Sequence, residues 1–181
     1  MKKNDYGRAK REAKIRYDEL CNALMNQDYV DFAKRLYPDF EASPARMLTA
    51  NTVDFMLYIA KADGEISEAE TTLIGDITGW HTTREFLIEF SSKNHIFEKG
   101  GNPALITMLV CDIENVWAKV DGNDRGIVRL LVKFFNLVAD LTLYRNGKVN
   151  RHAKKNAKEY LKVNFDYIRK NVKCPLNDDV V

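Results

Sequence analysis

Cysteine is scarce in this chain of 181 residues. The three present, Cys21, Cys111 and Cys174, lie far apart and form no CxxC pair. Such spacing supports neither a disulfide framework nor a zinc ribbon, and it fits a reducing, cytoplasmic compartment. Cys111 sits inside the apolar run MLVCDI and reads as a core residue. Histidine is equally thin. His81, His95 and His152 fall in separate segments, none with a second ligand one helical turn away and none in an HExxH context. The GxSxG elbow, the Walker A loop and GxGxxG after a strand are all missing. These absences leave no constellation for nucleophilic, metal or nucleotide chemistry, and the chain reads as non-enzymatic. Long apolar runs are also lacking. The longest, Ile127 to Tyr144, is broken by Arg129, Lys133 and Asp140. A membrane span needs about 20 mostly apolar residues, so this segment reads as a buried helix. The charged start MKKNDYGRAKREAK has no apolar region behind it and does not read as a secretory signal. Period-two alternation of the strand type appears nowhere.

What is present is helical pattern. Apolar residues make up 45% and charged residues 30%, enough for one soluble domain with a sizeable core. Tyr6, Ala9, Ala13, Tyr17, Leu20 and Leu24 recur at steps of three and four, which predicts an amphipathic helix over residues 5–25. Asp28 is the expected cap of a short helix ending before Pro38. Ser43-Pro44, a cap followed by proline at the first helical position, opens a helix to about Ala62. Ser67-Glu68-Ala69-Glu70 has the form of a capping box, and the helix it opens ends at Gly79. A short helix from Thr82 or Thr83 carries Phe86, Leu87 and Phe90. Residues 91–102 read as irregular. Asn102-Pro103 repeats the cap-plus-proline device for a helix to about Val120. Asp121 to Asp124 form a turn, and a helix apolar on most sides runs to Tyr144. Asn146-Gly147 stops it, and Asn150 caps the last helix. The expectation is an all-α bundle of about seven to eight helices: an extension over 1–44 packed on the core, a domain over 45–173 and a flexible tail over 174–181.

The most informative stretch is AKADGEISEAE, Ala60 to Glu70, echoed more weakly by LYRNGKVNRHA, Leu143 to Ala153. In each, a helix meets an Asp-Gly or Asn-Gly turn, and a branched residue (Ile66, Val149) follows two positions after the glycine. This predicts two related helix-turn-helix halves. The first copy gathers Asp63, Glu65, Glu68 and Glu70. It has the look of the back half of a calcium EF-hand, but Ile59 and Lys61 occupy the early positions where that loop needs oxygen ligands. A helix stop followed by a capping box accounts for the same residues without a ligand.

The segment YIAKADGEISEAE, followed by LI, resembles the signature turn of the tellurite-resistance TerB-like helical domains, and VADLTLYRNGKVNRHAKKNAKEYL resembles their second unit. The likeness spans about residues 45–172. It implies an all-α, non-enzymatic module linked to stress response or defence, working within membrane-associated or signalling assemblies. It also implies a divalent-cation site, such as one for calcium, whose candidate ligands here are Asp63, Glu65 and Glu70. The matching positions of the second unit are Asn146, Lys148 and Ala153, none a carboxylate.

Charge is distributed unevenly behind a net +2. Residues 1–16 hold seven Lys/Arg against two acids, residues 17–143 eleven against twenty, residues 144–173 ten against two, and the tail two acids alone. Within the last helix, Arg151, Lys154, Lys155, Lys158 and Lys162 share a face by their three- and four-residue steps. The stripe is a solvated face, a dock for the acidic part of this chain or of a second copy, or a contact for nucleic acid or an anionic membrane surface. The functional expectation is a binding or scaffold module that recognises a protein partner by charge. Nucleic-acid or anionic-surface binding through the last helix and divalent-cation binding at the 63–70 turn are the alternatives.

Overall fold

A computed structural model describes residues 3–38, 42–93, 101–121, 126–144 and 150–172. Among them the chain forms eight α-helices, one 3-10 turn and no strand. The helices are α1 (Lys3–Leu24), α2 (Gln27–Leu36), α3 (Pro44–Ala60), α4 (Glu68–Thr78), α5 (Arg84–Lys93), α6 (Leu105–Asp121), α7 (Ile127–Tyr144) and α8 (Arg151–Asn171). The 3-10 turn is Lys61–Asp63. The bundle is all-α, as the periodicity predicts.

Helices α3 and α7 form the centre. Ten residues of α7 are buried, among them Val128, Leu131, Phe134, Phe135 and Val138, on more than one stripe, so the helix is enclosed by α1, α3, α6 and α8. Helix α1 lies along α7 and also meets α3 and α4. It seats Ala13, Tyr17, Leu20 and Leu24 in the same core as the remaining helices, and Tyr17 tilts against Phe134 at 5.9 Å between ring centroids. Helix α8 runs antiparallel along α3. Tyr160 stacks on Phe55 at 4.0 Å, and Phe135 meets Tyr160 edge-on at 5.8 Å.

Helix starts follow the expected local chemistry in most places. The Ser43 hydroxyl accepts the Arg46 amide, with Pro44 in the first turn. Thr83 accepts the Phe86 amide and thereby opens α5. The Asn150 side chain accepts the amides of His152 and Ala153. Gly64 has φ 104° and Gly79 φ 73°, left-handed backbone that stops two helices where a side chain would be strained.

Three local expectations need correction. Asn26, not Asp28, caps α2: its Oδ1 accepts the Asp28 amide, and Asp28 sits inside the first turn beside the positive end of the helix dipole. Helix α5 continues to Lys93 instead of stopping near Phe90, and Lys61 Nζ bonds the Ser91 carbonyl at 2.7 Å. Helix α6 begins at Leu105, not at Pro103, and its first amides are met by side chains from other helices: Asn164 Oδ1 accepts from Ala104, and Asn51 Oδ1 accepts from Ile106, both at 2.9 Å. The second corner, Arg145 to Val149, the tail from 174, residues 122–124 and most of the loop ending in Gly100 fall outside the described residues.

Candidate functional site

The basic stripe is real as a surface. Arg151, Lys154, Lys155, Lys158 and Lys162 are all exposed. The opposite side of α8 buries Ala153, Ala157, Tyr160, Asn164 and Ile168 against α3, α6 and α7. Beyond Lys162, Phe165 is buried, while Asp166 and Arg169 stay partly or fully exposed further along the same helix. The five cations span eleven residue steps, about 17 Å of helix. Among the described residues none of the five cations has an ion-pair partner, while Arg169 on the same helix pairs with Asp166 at 3.0 Å. No acidic patch of the described bundle covers the stripe. Its aromatic neighbours are turned away, Tyr160 and Phe165 being buried and Tyr167 half-buried.

The acidic corner is organised otherwise. Ile66 drives into the core and anchors the turn. Glu70 is also buried: its Oε2 accepts the Ser67 amide at 2.6 Å and the Ser67 hydroxyl at 3.0 Å, while the Glu70 amide donates back to that hydroxyl at 3.3 Å. The capping box is complete. Glu65 projects to solvent and pairs with Arg84 Nη2 at 3.3 Å, and Arg84 Nε donates to the Ile66 carbonyl. The Asp63 side chain is not among those described. Of the three expected cation ligands, Glu70 is thus spent on the helix start and Glu65 on an arginine from α5. A cation here has to draw Glu70 out of the box. No three His, Cys, Asp or Glu side chains of the described residues converge as a metal site. Ser67→Ala removes one half of the box and is expected to cost about 1 kcal/mol of stability, measured by urea unfolding. A loss below about 0.3 kcal/mol would show that the box is redundant to the burial of Ile66.

Other reactive groups are shielded or isolated. Burial, with the neighbouring charges of Asp112 and Glu114, pushes the Cys111 thiol up to about 12. His152 is exposed at the start of α8, and His81 is exposed with its ring lying over Gly75, where a Cβ would meet Nδ1 at 2.6 Å. His95 lies outside the described residues. The carboxyl of Asp54 on α3 is raised by burial to about 6. It faces Tyr160, whose hydroxyl is itself held up by burial and by the Asp54 charge.

A surface feature that the sequence reading missed is an aromatic cluster at the end of α4. Trp80 meets Phe86 and Phe90 edge-on at 5.7 and 5.9 Å. Phe86 and Phe90 stand one turn apart on α5; Phe86 is 45% exposed, and Leu87 is fully buried. Two phenylalanines at that spacing next to a tryptophan are the only trace of this cluster in the sequence.

Comparison with protein-family models, with curated proteins and with solved structures returned no match. The surfaces described above therefore carry the functional reading by themselves.

Proposed function

We propose that this chain is a non-catalytic, TerB-like binding module. In this reading it acts in the cytoplasm as part of a stress-response or defence-related assembly, and its contact surface is the basic face of α8. The observation that supports it is the unpaired state, among the described residues, of five cations along one rigid helix face. A helix anchored by a buried opposite side holds those charges at fixed spacing, so a partner meets a preformed array with little side-chain ordering beyond the lysine tips. The partner is a protein with an acidic surface. A single-stranded nucleic acid is the weaker fit, because such strands are gripped by base stacking on exposed aromatics and this stripe offers none. The buried Cys111 and the separated histidines support the non-catalytic part of the reading.

A charge reversal tests it. The variant Lys154→Glu, Lys155→Glu, Lys158→Glu alters exposed residues only and should fold as the parent does. Its capture of the native partner from host lysate at physiological salt is expected to fall about tenfold or more, and the parent's capture to weaken as salt rises. Unchanged capture by the variant overturns the assignment of this face. Retention of a duplex or single-stranded oligonucleotide, with a steep inverse salt dependence lost in the variant, would reassign the face to nucleic acid.

A further inference from the structure

We infer that the groove between α3 and the end of α4 is a binding site for an organic carboxylate with an apolar body. The groove is a cavity of about 540 Å³ lined by Arg46 and Ala50 from α3, Gly79 and Trp80 after α4, and Phe90 from α5. That volume lies in the range of small-molecule sites, roughly 300–1,000 Å³. It occupies a different side of α3 from α8: Asn51, Phe55 and Tyr58 meet the last helix, whereas Arg46 and Ala50 line the groove. It is thus a site separate from the basic stripe.

Its polar groups specify the ligand. The Thr49 hydroxyl donates to the Ala45 carbonyl and shares a hydrogen bond with the Tyr17 hydroxyl at 2.6 Å. The Thr78 hydroxyl donates to the Ile74 carbonyl and accepts the Trp80 backbone amide. Both hydroxyls are spent inside the fold. Two residues lining the groove, Arg46 and Trp80, carry side-chain donors with no hydrogen-bond partner among the described residues, the guanidinium and the indole N–H. Both are donors only. A ligand that satisfies them brings acceptors and negative charge, and Trp80, Phe90 and Ala50 line the groove for an apolar chain. Glycine at position 79, exposed and with φ 73°, keeps the wall of the groove free of a side chain. A carboxylate head on Arg46 with its chain along the aromatics meets each of these conditions. A neutral alcohol of the same length leaves the guanidinium without its charge partner.

The test uses the full chain labelled with ¹⁵N, with the Trp80 indole resonance assigned by loss of that signal in Trp80→Phe. Decanoate, kept below its micellar concentration, is expected to shift the Trp80 indole N–H saturably, whereas acetate leaves it in place. Decanol should bind about tenfold more weakly, the worth of one charge-assisted contact. Arg46→Gln, an exposed substitution, should remove the preference for decanoate over decanol with unfolding behaviour unchanged. The triple α8 variant should bind decanoate as the parent does, which separates this site from the proposed partner surface. Absence of a saturable shift with decanoate, or equal affinity for decanol, overturns the inference. Undiminished preference for decanoate in Arg46→Gln overturns it too.

Discussion

Asn164→Ala is expected to destabilise the protein by about 3–4 kcal/mol, more than any surface change in the molecule. Asn164 is fully buried on α8. Its Oδ1 accepts the Ala104 amide at 2.9 Å and the Thr107 hydroxyl at 2.7 Å, and its Nδ2 donates to the Tyr160 carbonyl at 2.9 Å. Truncation orphans the Ala104 amide at the start of α6 and the hydroxyl of Thr107, itself fully buried. Each unmet buried group costs about 1–3 kcal/mol, and the lost side chain leaves a void beside them. Urea unfolding measures the total. Hydrogen exchange locates it, with faster exchange expected at the first amides of α6 before the rest of the helix is affected. Asn164→Asp is a sharper probe. A carboxylate still accepts from Ala104 and Thr107 but has no N–H for the Tyr160 carbonyl. Stability should therefore recover partly as pH falls and the carboxyl gains a proton. A loss below about 1 kcal/mol in Asn164→Ala, with α6 exchange unchanged, would falsify the role given to this side chain.

The second large effect is a dependence on pH. Asp54 is half-buried on α3, and burial raises its carboxyl from 3.8 to about 6. Because the folded value lies above the unfolded one, folding favours the protonated form. The contribution is whole below about pH 4 and is lost as pH rises through about 6. The gap between the two values corresponds to about 3 kcal/mol, and partial contact with water trims this to about 2 kcal/mol. Asp112 and Asp140, both raised by burial, act in the same direction. Asp54→Asn keeps the shape without the charge. At pH 7 it should be more stable than the parent by about 2 kcal/mol, and near pH 4 the two should coincide. Urea unfolding of both proteins from pH 4 to pH 7 decides the matter. A difference that does not change across that range would mean that the carboxyl titrates normally in the folded protein.

The local devices were legible in the sequence because they are made by neighbours in the chain. The Ser67–Glu70 box, the Ser43-Pro44 start and the Asn150 cap each join atoms within a few residues, and all three stand in the structure as expected. The acidic corner was legible only in composition. Four acids within a few residues suggested a cluster, yet Glu70 turns inward to the helix start and Glu65 outward to Arg84, nineteen positions further on. Asparagines were the least readable. Asn51, Asn115, Asn156 and Asn164 sit within helices, where asparagine reads as ordinary polar surface. In the fold they tie α3, α6 and α8 together: Asn51 and Asn164 meet the start of α6, Asn156 donates to the Tyr58 carbonyl near the end of α3, and Asn115 donates to the Asn171 carbonyl at the end of α8.

The sequence alone determined that the chain is helical, where most helices start and stop, and that α8 carries its cations on one side, because periodicity and capping act within a turn or two of helix. Tertiary structure decided which helix end each asparagine serves, that the cation stripe stays open between Arg151 and Lys162, and that Trp80 stands beside Arg46. Those outcomes join residues between 34 and 98 positions apart, and spacing along a chain holds no information about which distant surfaces will close on each other.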